Sequence, residues 1–215
     1  MMLQNLFLEM EEFASIRRIP IIRANERDVF CRLIREANAH RILEVGTAIG
    51  YSTLLLAKES PKDVHITTVE KNKKRAEQAR SFFRKSPYDS QIRLCVGDAS
   101  SLLTTLDESY DLVFLDAAKG QYVDHLAKVL PHLASSGLIL ADNVLFRGYV
   151  FGNEPVPRRF RTIAKRLRKY IKLVQEIPGF ETDIIADGDG LAVTRWDRKA
   201  FHAEETRTFS ACRQF

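Results

Sequence analysis

The sequence has few cysteines and no long apolar run. Its three cysteines, Cys31, Cys95 and Cys212, are too few and too scattered for a disulfide framework or a cysteine zinc site, which favours a reducing compartment. The longest uncharged stretch near the centre, residues 45–57, has 13 residues, whereas a membrane-spanning helix needs about 20. Acidic residues precede the first basic one, Arg17, which is the reverse of a signal peptide. We therefore expect a cytoplasmic protein without a membrane partner.

Positive charge is unevenly distributed along the 215 residues. The content of 45% apolar and 28% charged residues is typical of a globular protein and argues against disorder. Residues 147–172 hold nine basic residues and one acidic residue, Glu154, whereas the rest of the chain has 24 basic and 27 acidic residues. A mildly acidic body with one basic segment predicts a local anionic partner rather than general basicity.

From residue 41 onward, short β-rich runs alternate with helix-length amphipathic stretches. Residues 3–38 precede this pattern and read as two helices broken at Pro20. The strands are expected at residues 41–45, 65–69, 92–96, 112–115 and 138–141, and the helices near 51–59, 71–85, 98–105 and 119–134. Such alternation predicts a parallel sheet with helices on both faces.

The end of the chain has a different pattern. A basic helix near residues 157–174 is followed by two strand-like runs, 180–185 and 191–196, joined by an Asp-Gly-Asp-Gly turn that favours an antiparallel hairpin. The predicted fold is therefore α/β, with a seven-stranded, mostly parallel sheet and a C-terminal antiparallel hairpin. We expect a single domain over residues 1–215, composed of N-terminal helices (1–40), a core (41–196) and a C-terminal extension (197–215).

Three successive predicted strands end in residues suited to a nucleoside. The first runs into a turn with Gly46 and Gly50, where the backbone could approach a ligand closely. The turn lacks the Gly-Lys-Ser/Thr of a P-loop and does not fit G-x-G-x-x-G. Glu70 ends the second strand, where it could accept ribose hydroxyls, and Asp98 follows the third, where it could accept an adenine amino group. A helix cap is the alternative role for each acid.

The fourth and fifth predicted strands end in hard oxygen donors. Asp116 follows the fourth, and Asp142 and Asn143 follow the fifth. Two carboxylates and an amide, without a nearby histidine or cysteine, suit Mg²⁺ or another divalent cation. The alternative is structural, with Asp116 capping the next helix and the Asp-Asn pair forming an Asx-turn.

The first group of motifs resembles class I S-adenosylmethionine-dependent methyltransferases, which have a Rossmann-like fold. The residues that carry the resemblance are 44–52, Glu70 and 97–99. It implies that the first loop holds the methionine end of the cofactor, the acidic residue its ribose, and the third strand end its adenine. The implied cofactor-binding residues are Ile22, Glu44, Gly46, Thr47, Gly50, Ser52, Glu70, Asp98, Ala99 and Asp116.

The second group resembles the metal-dependent O-methyltransferases, which include the catechol and caffeoyl-CoA enzymes, and the likeness extends over residues 19–196. Asp116, Asp142 and Asn143 match the metal ligands of that family. Lys119 matches the lysine proposed as its general base, so Lys119 and Asp116 are the implied catalytic residues. The implied cofactors are S-adenosylmethionine and Mg²⁺ or another divalent ion. Members of the family often dimerise, so we expect a homodimer.

Segments 46–52, 116–122, 142–148 and 157–161 resemble the bacterial methyltransferases of 5-hydroxyuridine in tRNA. This likeness implies formation of 5-methoxyuridine at the wobble position of the anticodon loop, with tRNA but no DNA as a partner. Adjacent O4 and O5 oxygens of that base could chelate a metal as a catechol does. The implied RNA-binding residues are Arg147, Arg158, Arg159, Arg161, Lys165 and Arg166.

Two functions remain open from the sequence. The leading hypothesis is methylation of 5-hydroxyuridine in tRNA, with the basic segment contacting phosphates. The alternative is a small-molecule O-methyltransferase for catechols or hydroxylated phenylpropanoids, in which the basic segment is solvated surface. Tyr51 and Tyr122 could stack on a base in the pocket, or could simply pack in the core.

Overall fold

The computed structural model describes residues 2–152 and 155–199. Seven strands form one sheet in the order β3-β2-β1-β4-β5-β7-β6, which confirms the predicted α/β fold with its C-terminal antiparallel hairpin. The chain divides into two compact units, of which the first ends at Leu102 and the second begins at Leu103. Cys212, Glu154 and the predicted extension from residue 200 onward lie outside the described residues.

The first unit contains three parallel strands and five α-helices among its described residues. Strand β2 lies in the middle of the three and pairs in parallel with β1 on one side and β3 on the other. The elements are α1 (Met2–Arg17), α2 (Ala24–Ala37), β1 (Arg41–Val45), α3 (Tyr51–Glu59), β2 (His65–Glu70), α4 (Lys73–Arg84), β3 (Ile92–Val96) and α5 (Ala99–Leu102).

Local sequence signals determine where the helices of this unit begin and end. Pro20 lies in the break between α1 and α2, as predicted. Helix α2 ends at Ala37, and the capping residue Asn38 adopts a left-handed conformation with φ of 46°. Helix α4 begins after Asn72, whose side-chain oxygen accepts hydrogen bonds from the N–H groups of Lys74 and Arg75.

The second unit contains four strands and two longer helices within its described residues. Strands β4 and β5 are parallel, whereas β7 runs antiparallel to both β5 and β6. The elements are β4 (Tyr110–Leu115), α6 (Tyr122–Val129), β5 (Leu133–Ala141), α7 (Arg161–Glu176), β6 (Phe180–Ile185) and β7 (Leu191–Trp196). No helix in the part of the chain described here combines the length and apolarity needed to cross a membrane.

Strand β5 is longer than its sequence pattern predicts. The prediction placed a helical segment at 119–134 and a strand at 138–141, but the strand begins at Leu133. Leu133 is buried and pairs with Tyr110, and the β4–β5 register shifts before Leu112 pairs with Leu138. The intervening Ala-Ser-Ser-Gly has low strand propensity, so the pairing with β4 overrides the local preference.

Candidate active site

A loop between β1 and α3 forms the first part of the candidate site. Gly46, Ala48 and Gly50 all have positive φ, at 111°, 48° and 85°. The N–H groups of Gly46 and Thr47 donate to the carbonyl of Val69 at 3.0 and 3.2 Å, which holds the loop against the end of β2. A left-handed alanine is uncommon, and such residues concentrate at functional turns.

Gly50 is required by packing. A Cβ atom built there would lie 2.3 Å from the Phe83 ring, and φ of 85° already disfavours any side chain. The position of both loop glycines after a strand predicts close approach of a ligand. At position 50 the structure supplies a different reason, because an aromatic ring of α4 fills the space.

Glu44 is fully buried beneath this loop within a group of hydroxyls. Its carboxylate accepts hydrogen bonds from Ser52 at 2.5 Å, from Thr68 at 2.6 Å and from Thr53. The Thr68 hydroxyl is also 2.6 Å from that of Thr47. Three of the predicted cofactor residues, Glu44, Thr47 and Ser52, therefore share one buried polar network, which fixes the shape of the loop.

Glu70 connects the same loop to the start of α4. One carboxylate oxygen accepts the Ala48 N–H at 2.8 Å and the other accepts the Asn72 N–H at 2.7 Å. Each carboxylate oxygen has a second acceptor position, so the predicted role in binding ribose hydroxyls stays a prediction that this geometry permits.

Asp98 lies at the start of α5 and has a cation beside it. Its side chain accepts the Ser100 N–H at 3.0 Å and the Lys71 ammonium at 2.8 Å. The hydrogen bond from Lys71 lowers the pKa of Asp98 below its ordinary value, and the same bond raises the pKa of Lys71. Asp98 is thus a helix cap as well as the predicted adenine ligand. Ala99 is half-buried beside it, and Ile22 is buried between α1 and α2.

The second unit brings the predicted metal ligands to neighbouring strand ends. Leu115 pairs with Ala141, so Asp116 and Asp142 each lie one residue beyond a matched pair. The Asp142 N–H donates to the Leu115 carbonyl at 3.0 Å, and its side chain accepts the Asn143 N–H at 2.7 Å. Asn143 is left-handed, with φ of 55°. The chain therefore turns at the predicted ligands, but the Asp142 side chain accepts from the next N–H and not from the one two residues on that defines an Asx-turn.

Lys119 lies one turn beyond Asp116 and donates to its carboxylate at 2.8 Å. Both side chains are partly shielded, at 20% and 32% exposure. The predicted general base and the predicted first metal ligand thus form one acid–base pair that solvent can reach.

The donor set at these strand ends fits a divalent cation. Asp116, Asp142 and Asn143 offer carboxylate and amide oxygens, which are the ligands that Mg²⁺ and Ca²⁺ prefer. Among the residues that the structure describes, no group of three or more His, Cys, Asp and Glu suits a metal. Two carboxylates and an amide therefore suit a hard ion that keeps waters or substrate oxygens as its other ligands. They do not suit a softer transition metal, which prefers histidine or cysteine ligands.

Tyr122 of α6 touches the backbone at both strand ends. Its hydroxyl lies 3.0 Å from the Leu115 carbonyl oxygen and 2.9 Å from that of Asp142, and the residue is 1% exposed. Burial, and then the charges of Asp116 and Asp142, raise the pKa of Tyr122. Tyr51 is also buried, and its hydroxyl donates to Glu11 at 2.6 Å. Both tyrosines pack internally, so the structure favours packing over base stacking.

Several residues of the basic segment already contact the protein. Arg166 donates to the Gly120 carbonyl at 3.2 Å, and Arg161 donates to the Val156 carbonyl at the same distance. Arg158, Arg159 and Lys165 are exposed, and Arg147 is exposed with a left-handed backbone. The apolar face of α7 is buried, and its exposed face lines a groove of about 830 Å³, whose lining includes Arg161, Lys165 and Arg166.

An aromatic cluster in the segment between β5 and α7 was not predicted. The rings of Phe146, Tyr149 and Phe160 lie within 5.4 to 6.3 Å of each other. The guanidinium groups of Arg147 and Arg159 lie 5.5 and 4.6 Å from the Phe160 ring. Aromatic and arginine residues at these positions were visible in the sequence, but their wide spacing outside a regular element concealed the contacts.

Comparisons with known proteins identify the family of the chain. The sequence model of a family described as O-methyltransferase matches residues 5–197. A tapetum-specific methyltransferase of Arabidopsis thaliana is 31% identical over 168 residues, covering 76% of this chain and 72% of the relative. A catechol O-methyltransferase of Mycobacterium tuberculosis is 28% identical over 196 residues, covering 87% of this chain and 86% of the relative.

Solved structures give the same result. A Staphylococcus aureus protein provisionally named caffeoyl-CoA O-methyltransferase superposes with a TM-score of 0.81 at 33% identity, covering 88% of this chain and 91% of that one. The Podospora anserina methyltransferase PaMTH1, solved with S-adenosylhomocysteine, gives 0.80 at 26% identity and covers 89% and 88%. This chain therefore belongs to the O-methyltransferase family, the S-adenosylmethionine-dependent group that includes caffeoyl-CoA and catechol O-methyltransferases.

Proposed function

We propose that this O-methyltransferase transfers the methyl group of S-adenosylmethionine to one of two adjacent oxygens on its acceptor, with a divalent cation at Asp116, Asp142 and Asn143. The observation that carries the proposal is the pair of matched strand ends that present Asp116 and Asp142, with Lys119 beside Asp116. Adjacent oxygens suit such a site because both can complete the coordination of one hard ion.

The residues of the first unit would hold the cofactor. The loop at Gly46–Gly50 is fixed from below by the Glu44 hydroxyl network and from the side by Glu70. Its shape is therefore set before any ligand binds, which lowers the entropy lost on binding. The Glu70 carboxylate would accept ribose hydroxyls through its remaining acceptor positions.

The residues of the second unit would prepare the acceptor. A divalent ion at this site would favour the ionised form of the bound hydroxyl and fix its direction. Lys119 lies within hydrogen-bond reach of Asp116, and with that carboxylate bound to the ion its neutral amine would take the proton of the hydroxyl, as the family resemblance implies. In-line transfer from a sulfonium requires this oxygen to be held in one direction, so the rigidity of both strand ends contributes directly to the rate.

A small catechol-like acceptor is the first candidate substrate. It is favoured by the relatives, which include proteins named catechol O-methyltransferase and caffeoyl-CoA O-methyltransferase at 28% identity. For such an acceptor, the exposed cations of α7 would be solvated surface.

5-Hydroxyuridine in tRNA is the second candidate, and a specific observation favours it. Arg158, Arg159 and Lys165 are exposed at and near the start of α7. Arg158 and Arg159 directly precede α7, where positive charge opposes the helix dipole, so helix stability does not explain them. A phosphate backbone would contact them without reading sequence.

Parallel assays with Mg²⁺ and labelled S-adenosylmethionine distinguish the two acceptors. One arm contains a catechol and the other contains tRNA from cells that cannot methylate 5-hydroxyuridine. The tested variant is Arg158→Glu/Lys165→Glu, and the matched control is Lys62→Glu/Arg80→Glu, which reverses two exposed cations of the first unit.

Each outcome has a defined meaning. Label in the catechol that is unaffected by either pair of substitutions supports the first candidate. Label in tRNA as 5-methoxyuridine supports the second candidate, provided that two conditions hold for the KM of tRNA. It should rise steeply with salt concentration, and it should be higher in the α7 variant than in wild type but unchanged in the control variant. Label in neither acceptor, or label that survives complete removal of divalent ions, would contradict the proposed function.

A further inference from the structure

Tyr122 is the buried side chain that joins the two ligand-bearing strand ends. Its hydroxyl lies within hydrogen-bond distance of the Leu115 carbonyl, one residue before Asp116, and of the carbonyl of Asp142 itself. The Asp142 N–H also donates to the Leu115 carbonyl. Since the Tyr122 hydroxyl has one proton, it donates to one of these two carbonyls or is shared between them, and together with the Asp142 N–H it links the two strand ends.

Beyond these strand ends, hydrogen bonds between the parallel strands no longer hold the two backbones together. The last matched pair is Leu115 with Ala141, and beyond it β4 and β5 continue into different turns. Asn143 adopts a left-handed conformation directly after Asp142, which directs the chain away from the sheet. A bridge between the backbones at this point therefore controls the separation of Asp116 and Asp142 more directly than any contact deeper in the sheet.

We propose that Tyr122 is a positioning residue for the metal site, whose hydroxyl holds the backbones of Asp116 and Asp142 at the spacing needed to share one divalent cation. The inference rests on the proposed function, because it assumes that these residues bind a metal. Tyr122 is buried and would touch neither the acceptor nor the reacting atoms. Groups that orient metal ligands from outside the coordination sphere commonly change metal affinity or activity by about 10- to 100-fold.

The chain offers a matched control in Tyr170. Tyr170 is also fully buried and packs edge-to-face on Tyr122, with the ring centres 5.4 Å apart. Within the described residues, its hydroxyl has no hydrogen-bond partner. Tyr122→Phe and Tyr170→Phe thus each remove one buried hydroxyl from the same aromatic pair, but only the first removes a bond to the strand ends.

The experiment measures binding of Mn²⁺ to the full chain, from the electron paramagnetic resonance signal of the unbound ion, without cofactor or acceptor. We expect the dissociation constant to rise about tenfold in Tyr122→Phe and to stay unchanged in Tyr170→Phe. The affinity for S-adenosylmethionine, measured calorimetrically, should be the same in all three proteins, which shows that each variant is folded. In the assay, Tyr122→Phe should raise the KM for Mg²⁺ more than it lowers kcat at saturating Mg²⁺.

Two results would overturn the inference while leaving the metal site intact. In the first, wild type binds Mn²⁺ and Tyr122→Phe binds it equally well. In the second, both variants lose affinity equally, which would assign the effect to core packing. A wild-type chain that binds no Mn²⁺ would instead reject the metal site of the proposed function, and the role of Tyr122 with it.

Discussion

The two units hold their candidate functional residues in different ways. In the first unit, side chains predicted to bind the cofactor are held by other parts of the protein, with Glu44 among hydroxyls and Glu70 on two backbone N–H groups. In the second unit, backbone bonds and one tyrosine hold the strand ends, and the partly exposed Asp116 has Lys119 beside it. In the first unit, the acidic side chains thus hold a loop in place. In the second unit, backbone contacts hold the strand ends, and the acidic side chains remain available for a ligand.

This difference predicts which measurement each substitution changes. Changes to the acids of the first unit should reduce the stability of the fold, because they remove partners of buried groups. Changes to those of the second unit should reduce turnover while the fold survives. Any variant that breaks this division would show that the two units are less distinct than their hydrogen bonds indicate.

The largest effect is expected for Asp142→Ala. Loss of one carboxylate ligand should lower kcat/KM by about 1000-fold, or about 4 kcal/mol, because the acceptor oxygen loses its charge stabilisation. The thermal unfolding midpoint should change little. Steady-state kinetics and calorimetry test this, with Asp183→Ala on the exposed edge of β6 as the control. Full turnover in Asp142→Ala would remove the metal site from the mechanism.

Gly50→Ala should have the next largest effect, and it should act on stability. The added Cβ would meet the Phe83 ring at 2.3 Å and would hold alanine at φ of 85°, so we expect a loss of about 3 kcal/mol in the free energy of unfolding. Gly148→Ala is the control, because its φ is 75° with nothing within 4 Å, and it should cost about 1 kcal/mol. Urea denaturation measures both. Equal losses would mean that backbone strain alone explains Gly50.

Glu44→Gln tests the buried hydroxyl network. The amide keeps the shape of the side chain but turns one acceptor into a donor, which opposes the hydroxyls that donate to it. We expect a loss of about 2 kcal/mol in the free energy of unfolding. Binding of S-adenosylmethionine should weaken only indirectly, because the loop is held less firmly. Glu77→Gln, on the exposed face of α4, is the control. A variant with normal stability but no cofactor binding would assign Glu44 to the ligand directly.

The sequence predicted the strand ends well because their signals are local. Strands β1, β3, β6 and β7 begin and end where hydrophobic patterning placed them, and a parallel sheet brings the residues after such strands to one edge. Strand β5 was predicted too short, since its first half forms by pairing with β4 rather than by propensity. The role of Tyr122 was not predictable, because its partners are backbone carbonyls, which no side-chain pattern reveals.

The smallest effect concerns Lys71 and Asp98, the exposed pair at the predicted adenine end. The pKa of Asp98 is lowered in the folded state, so the stability gained from the pair is present above the ordinary Asp value of 3.8 and is lost as the pH falls through the lowered value. In Lys71→Met, NMR titration should show the pKa of Asp98 rising towards 3.8. The difference in thermal midpoint between wild type and variant should be small at neutral pH, decrease with added salt, and vanish in acid. An unchanged Asp98 titration in Lys71→Met would mean that the Ser100 N–H and the start of α5 hold this carboxylate instead, as Glu70 is held by backbone groups.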